Sequence, residues 1–197
     1  NGTSASGANT TSTAVFGRAG SFDGSDDYVS IPHNVNQLLT TGGTISAWIF
    51  PRTKGEGAAR IVDKSTTGGG ANGYRIYLHL DNENQIGFQI NSGTQAVSAL
   101  NIIPYNQWSY VVVRFDSTGL TTIYVNGIVS GTPIVSAVPT GIITTNALII
   151  GNRSGSTDST FDGSIDDVRI YDYALTANQV RQIYNETASI KMVKQEN

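Results

Sequence analysis

Hydrophobic and polar residues alternate in short runs along most of this chain. Two such runs lie between positions 74 and 91, separated by the polar stretch Asp81-Asn82-Glu83-Asn84. Alternation with a period of two puts apolar side chains on one face of a strand, and a short polar connection between two such runs predicts a β-hairpin. The predicted apolar face consists of Ile76, Leu78, Leu80, Ile86, Phe88 and Ile90, and the predicted polar face of Arg75, Tyr77, His79, Gln89 and Asn91.

The same pattern recurs throughout the chain, in segments bounded by turn-forming residues. Asn126-Gly127, for example, is a strong signal for a type I′ turn between two strands. Counting these segments predicts about a dozen strands, spaced as in an antiparallel sandwich. We therefore predict an all-β fold, an antiparallel β-sandwich, with a short helical or irregular connection from Pro32 to Leu39.

One helix is predicted near the C-terminus. Thr176 can cap it, with Gln179 as the reciprocal partner, while Leu175 and Val180 stand at the positions of a hydrophobic staple. The domain is predicted to span residues 13–187, because residues 1–12 are too polar to bury much surface and read as a linker. Residues 188–197 are interpreted as a tail or a further linker.

Composition narrows the classes of function. Lysine and arginine number 12 against 15 acidic residues, a net charge of −3 that gives no field attracting nucleic acid or an anionic membrane. The chain has no cysteine, which excludes disulfides, thiol catalysis and thiolate metal sites. No run of 18 apolar residues and no signal peptide is present, so we expect a soluble module of a longer protein, without membrane insertion.

Two stretches of sequence echo one another. Phe22-Asp23-Gly24-Ser25 is followed by the pair Asp26-Asp27, and Phe161-Asp162-Gly163-Ser164 by the pair Asp166-Asp167. Six of the 11 aspartates lie in these two stretches. Such a concentration of one acidic residue type requires a structural or functional reason.

Four segments, in this order along the chain, carry a family resemblance. They are the strand-turn-strand from Phe22 to Ile31, Gly43-Thr44-Ile45-Ser46-Ala47-Trp48-Ile49, the hairpin from Trp108 to Gly127, and the stretch from Asp162 to Tyr171. Together they resemble the laminin-G-like, or pentraxin-like, domains of the concanavalin A-like lectin/glucanase superfamily, over roughly residues 13–186. The resemblance implies a jelly-roll sandwich in which Trp48 and Trp108 are core residues. Family members serve carbohydrate binding, adhesion or structural spacing.

The acidic stretches suggest calcium, which takes six to eight oxygen ligands in flexible geometry. In a jelly roll the first and last strands are commonly neighbours, which could bring both stretches to one ion, and related domains often hold a structural calcium near such loops. The predicted ligands are Asp23, Asp26, Asp162 and Asp166, completed by backbone oxygens. The alternative is that these carboxylates cap backbone amides in Asx and Asp-Gly turns.

The polar face of the predicted hairpin suggests glycan binding. Arg75, Tyr77, His79, Gln89 and Asn91 offer an aromatic ring for stacking together with donors and acceptors for hydroxyl groups. The alternative is a solvated outer sheet face, which antiparallel sheets routinely present to water. The loops at Gly68–Asn72 and Asn152–Asp158 are competing positions for a ligand.

Enzymatic interpretations find little support. The four glutamates are scattered, no recognisable facing pair of carboxylates exists, and His33 and His79 lie in unrelated contexts. We predict a non-catalytic carbohydrate-binding module of a larger secreted or surface protein, extracellular or at the cell surface, with a structural calcium. Its partners would be a polysaccharide or a glycoprotein glycan and the neighbouring domains. The alternative is an adhesive or spacer module that recognises protein.

Overall fold

The chain folds into two antiparallel sheets. The computed structural model describes residues 2–66, 71–78, 84–153 and 158–195. In spatial order, the seven-stranded sheet contains β1 (Thr3–Ala5), β4 (Tyr28–Ile31), β14 (Leu148–Ile150), β6 (Arg60–Lys64), β7 (Tyr74–Leu78), β8 (Ile86–Ile90) and β9 (Ala96–Val97). The eight-stranded sheet contains β12 (Ile128–Val129), β11 (Leu120–Val125), β10 (Ser109–Phe115), β5 (Gly43–Pro51), β15 (Asp162–Tyr171), β3 (Ala19–Asp23) and β2 (Asn9–Thr11), and β13 (Ile134–Val135) also pairs with β11. The prediction of an all-β, antiparallel jelly-roll sandwich is confirmed.

The main core lies between the two sheets and follows the alternating pattern. In β5, Ile45, Ala47 and Ile49 point into it, and the predicted hairpin contributes Ile76 and Phe88 from β7 and β8. These side chains are at most 3% exposed. At about 25 cal/mol per Å² of apolar surface removed from water, burial of this kind supplies the dominant stabilising free energy.

A second hydrophobic cluster lies on the outer face of the eight-stranded sheet, beneath the helix α1 (Ala177–Gln195). Trp48 points away from the main core, and its ring stacks on Tyr184 of α1 with centroids 6.0 Å apart. Trp48 is 1% exposed, as the prediction of buried packing required, whereas Trp108 remains partly exposed. Helix α1 therefore covers the central part of this outer face.

The predicted cap of α1 is present. The Thr176 hydroxyl accepts from the Gln179 amide N–H at 3.2 Å, and the Thr176 amide donates to the Gln179 side chain at 2.8 Å. The two bonds satisfy donors that the first turn of a helix leaves unpaired. Among the described residues, no helix is both long and apolar enough to cross a membrane.

The two ends of the chain differ from the prediction. Residues 1–12, predicted as a linker, contain β1, which pairs with β4, and β2, which pairs with β3. Helix α1 continues to Gln195, through most of the segment predicted as a tail. The short 3₁₀ turn Val35–Gln37 occupies the predicted connection after Pro32, and a second 3₁₀ turn spans Pro139–Gly141.

Candidate functional site

The first acidic stretch forms the turn between β3 and β4. Asp23, Asp26 and Asp27 each offer a carboxylate oxygen, and these oxygens lie within 4.8 Å of one another. Asp27 fixes the turn, because its Oδ2 accepts the amide N–H of Asp23 at 2.9 Å. Gly24 supplies a φ of +83°, a left-handed conformation that suits glycine. The turn therefore gathers three carboxylates at one point.

Asp27 is the buried member of this cluster. Its side chain is 5% exposed, and its Oδ1 has no hydrogen-bond partner among the described residues. Burial raises the pKa of Asp27, and the nearby charges of Asp23 and Asp26 raise it further, while the Asp23 amide opposes the shift. A buried carboxylate oxygen without a partner costs free energy unless something satisfies it.

A calcium ion fits this donor set. Hard cations prefer carboxylate and carbonyl oxygens, and Ca²⁺ accommodates them in irregular geometry. The segment between β1 and β2 borders the site, since a Cβ built on Gly7 would lie 3.0 Å from Asp27 Oδ1. Among the described residues, these three aspartates are the only group of three or more potential metal-ligating side chains that lies this close together.

Asp162 lies beside the first turn but has other partners. It pairs with Asp23 across the β3–β15 ladder, so the two acidic stretches are neighbours, as a jelly roll requires. Its carboxylate is bound by Arg52, with Nη2 2.7 Å from Oδ1, and by the Thr53 hydroxyl, 2.7 Å from Oδ2. These contacts already neutralise the charge that the sequence assigned to calcium.

Asp166 lies four residues further along β15 and binds backbone instead. Its Oδ2 accepts the amide N–H of Phe16 at 2.7 Å, and its Oδ1 accepts that of Asp167 at 2.8 Å. Burial raises the pKa of Asp166, and the bonds from Phe16 and Asp167 oppose that shift. Asp166 therefore caps backbone amides, which was the alternative to calcium binding in the sequence analysis.

Of the four predicted calcium ligands, the structure thus brings together Asp23 and Asp26 and gives Asp162 and Asp166 other partners. Asp27 joins the cluster, although the prediction did not select it. The sequence carried a signal for it, the repeated Asp-Asp pair. That signal could not tell which member of a pair turns inward.

The predicted glycan-binding face lies on the outer side of the seven-stranded sheet. Ile76 and Leu78 of β7 point into the main core, so Arg75 and Tyr77 point outward. Arg75 pairs across the ladder with Gln89 of β8 and donates from Nη2 to its side-chain oxygen. Arg75 and Gln89 are both partly exposed.

Tyr77 occupies a different environment from the one predicted. Its side chain is 3% exposed, and the guanidinium carbons of Arg60 and Arg75 each lie 5.2 Å from its ring centroid. Two cations stacked against one ring fix its position and leave little of it to receive a sugar. Tyr77 therefore supports Arg75 rather than offering a stacking surface.

Two residues of this face were missed at the level of sequence. Arg60 donates from Nε to Asp63 at 3.0 Å, and both side chains are at most 2% exposed. Burial lowers the pKa of Arg60, and Asp63 counters that effect. Charged residues in a strand normally indicate exposure, so nothing in the pattern marked this pair as buried.

The other predicted ligand residues lie apart from this face or outside the described part of the chain. Asn91 follows the end of β8 with a φ of +47° and donates to the Val138 carbonyl oxygen at 3.2 Å. His79 lies outside the described residues. So do residues 67–70 and 154–157, which make up most of the two competing loops.

Comparison with known proteins identifies the family. The profile described as the concanavalin A-like lectin/glucanases superfamily, a laminin G type, matches residues 23–181. The chain belongs to this superfamily. No curated protein sequence matches it.

Solved structures share the fold at low sequence identity. A structure of botulinum neurotoxin type C, whose cell entry depends on interaction with two ganglioside molecules, aligns with a TM-score of 0.69 and 17% identity, over 95% of this chain and 47% of that one. Domain 4 of the extracellular arabinanase AbnA from Geobacillus stearothermophilus, in complex with arabinotriose, aligns at 0.63 and 19% identity, over 93% and 87%. The heptameric SAP-like pentraxin of Limulus polyphemus aligns at 0.56 and 20% identity, over 82% and 83%. This chain spans about half the length of the neurotoxin chains that it matches.

Proposed function

We propose that this domain is a non-catalytic carbohydrate-binding module, extracellular or at the cell surface, that binds a polysaccharide or a glycoprotein glycan. It would act by holding neighbouring domains close to that glycan, which raises their local concentration. The fold it shares with a domain solved with arabinotriose, and with a toxin that depends on gangliosides, makes this class of ligand reasonable.

The observation that carries this proposal is the pair formed by Arg75 and Gln89. Both side chains are partly exposed on the sheet face that α1 does not cover, and the Tyr77 ring holds the Arg75 guanidinium in place. A guanidinium presents five N–H donors in a fixed plane, and an amide both donates and accepts. Groups fixed before binding lose less conformational freedom when they engage sugar hydroxyls.

A glycan array in calcium buffer, followed by titration calorimetry on the best glycan, tests the proposal. The variants Arg75→Ala and Gln89→Ala should each weaken binding about tenfold, the effect of losing roughly 1.4 kcal/mol of hydrogen bonding. Arg181→Ala removes an exposed arginine from α1 and should bind normally. A wild-type domain that retains no glycan would refute the proposal.

We further propose that a calcium ion bound by Asp23, Asp26 and Asp27 stabilises the module. The support is the cluster of carboxylate oxygens within 4.8 Å of one another, together with the buried Oδ1 of Asp27, which has no hydrogen-bond partner in the described part of the chain. The protein's part is to hold three oxygens and to bring the Gly7 segment alongside them. The ion would neutralise the carboxylates that crowd this turn.

A second candidate function is adhesion to a protein partner. Large aliphatic side chains are exposed on β12 and β13, the two short strands that pair with β11 in the eight-stranded sheet, among them Ile128 (72% exposed) and Val135 (59%). A related solved structure contains a toxin binding domain in complex with rat synaptotagmin II. Ile128→Ser and Val135→Ser would abolish capture of such a partner while leaving glycan binding unchanged.

A further inference from the structure

A pair of aromatic rings remains partly exposed on the outer face of the eight-stranded sheet. In β5, Trp48 and Phe50 both point away from the main core, but only Trp48 belongs to the cluster beneath α1. The Phe50 ring lies 5.5 Å from that of Trp108, with the two planes at 57°. Both side chains are partly exposed.

The ladder register extends this pair into a row. Phe50 is paired with Ser164 of β15, Ser164 with Ser21 of β3, and Ser21 with Asn9 of β2. Residues paired directly across antiparallel strands share a face, so all of these side chains point outward together. We call this row the aromatic–hydroxyl strip, consisting of Asn9, Ser21, Ser164, Phe50 and Trp108.

The polar side chains of the strip have donors and acceptors that the described protein residues do not use. Throughout the described part of the chain, the hydroxyls of Ser21 and Ser164 form no hydrogen bond with another side chain or with the backbone. Asn9 is exposed, and its Oδ1 accepts only the neighbouring amide of Thr10. Ser21 is partly exposed and Asn9 is exposed, so their polar groups are available to a ligand, whereas Ser164, only 8% exposed, lies just below the surface between Ser21 and Phe50.

We propose that the strip is a binding site for a neutral oligosaccharide, distinct from the Arg75 face. The proposal rests on the carbohydrate-binding function proposed above. An aromatic ring receives the apolar C–H face of a sugar, while serine and asparagine exchange hydrogen bonds with its hydroxyls. None of the five side chains is charged, which favours a neutral sugar over an acidic one.

The dimensions favour a chain of sugars over a single unit. Strands lie about 4.8 Å apart, so the four steps from β2 to the start of β10 span roughly 19 Å. Aromatic residues occupy one end and polar residues the other. An oligosaccharide lying across the strands would stack at Phe50 and Trp108, pass over the largely buried Ser164, and continue along Ser21 and Asn9.

The test follows the two tryptophan indole N–H resonances by ¹⁵N NMR while the folded domain is titrated with neutral arabino-, xylo-, gluco- and manno-oligosaccharides. At least one sugar should shift the Trp108 signal in a saturable manner and leave that of buried Trp48 unmoved. Phe50→Leu keeps apolar bulk, and therefore the fold, but removes the ring, and it should weaken this response at least tenfold. Tyr173→Leu, which alters an aromatic residue 52% exposed elsewhere, is the matched control.

Two outcomes overturn the strip. One is a Trp108 signal unmoved by every sugar at millimolar concentration, and the other is a response that persists in Phe50→Leu. If Arg75→Ala abolishes glycan binding while Trp108 stays unmoved, the proposed function stands and the strip fails. A Trp108 response that survives Arg75→Ala supports the strip as a site of its own.

Discussion

Two stretches that begin with the same four residues, Phe-Asp-Gly-Ser, have opposite roles in this molecule. The first, from Phe22, forms a turn between strands and gathers three carboxylates, one of them buried with an oxygen that has no hydrogen-bond partner among the described residues. The second, from Phe161, enters the ten-residue strand β15, and its carboxylates bind an arginine, a threonine and backbone amides. The same four residues thus begin a candidate cation site in one place and a set of stabilising hydrogen bonds and ion pairs in the other.

The difference lies in what surrounds each stretch. Asp162 meets Arg52 because β15 lies between β5 and β3, so a cation from a distant part of the chain reaches it. No described lysine or arginine forms an ion pair with Asp23, Asp26 or Asp27. A carboxylate cluster without a cation from the protein is where an external cation is most stabilising.

The largest effect is expected at Asp166. Asp166→Ala leaves the partly buried amides of Phe16 and Asp167 without their acceptor. At about 1–3 kcal/mol for each unsatisfied group, the free energy of unfolding should fall by about 3 kcal/mol. Urea unfolding in chelator measures it. Asp172→Ala changes an exposed aspartate just beyond β15 and serves as the control. If Asp166→Ala lowered the free energy of unfolding no more than Asp172→Ala does, the hydrogen bonds of Asp166 would not stabilise the segment around Phe16.

The second-largest effect is expected from calcium, which should stabilise the protein through the first acidic stretch and not through the second. Excess calcium over chelator should raise the melting temperature of the wild type, because an ion bound only by the folded state adds about 2.7 kcal/mol at 100 times its Kd. Asp27→Asn should abolish the increase, and Asp166→Asn should retain it. In chelator, Asp27→Asn should be at least as stable as the wild type, since it removes one of three crowded negative charges.

Differential scanning calorimetry in calcium and in chelator provides this measurement. An increase that survives Asp27→Asn would place the ion elsewhere. Equal melting temperatures in the two buffers would remove the calcium proposal altogether.

The ion pair of the second stretch should contribute less. Arg52→Ala removes the Arg52–Asp162 pair, and because the Arg52 side chain is 43% exposed we expect a loss of about 1 kcal/mol. The nearby exposed Lys54→Ala should cost little. Neither substitution should alter the calcium effect on melting temperature. If Arg52→Ala changed it, Asp162 would belong to the cation site after all.

The smallest expected effect is the contribution of Asp166 to the pH dependence of stability. The pKa of Asp166 is raised in the folded protein, so its protonated form favours folding. This stabilisation is fully present below the unfolded pKa, near 3.8, and is lost as pH rises through the folded pKa. The stability of the wild type minus that of Asp166→Asn should therefore grow on acidification from pH 6 to pH 3. Urea unfolding in chelator across that range measures the difference. A difference that shrinks would mean that the amide bonds outweigh burial.

Much of the fold followed from local sequence. The alternation in β7 and β8 predicted their pairing, and Thr176 with Gln179 predicted the start of α1, because strand and helix periods and capping involve residues close along the chain. The strands at residues 3–11 were missed for the same reason. They are short, polar edge strands whose only indication is their partners, β4 and β3.

The sequence by itself determined a two-layer sandwich, a capped C-terminal helix and two acidic stretches placed side by side. Only the tertiary structure decided which aspartates remain available to a cation, that Tyr77 is enclosed by two arginines, and that Phe50 and Trp108 lie in line with two serines. Each of these depends on contacts between residues far apart in the chain, up to 150 positions for Phe16 and Asp166. Periodicity specifies which face a side chain points to, whereas the partner on that face is set by how the strands are ordered and paired.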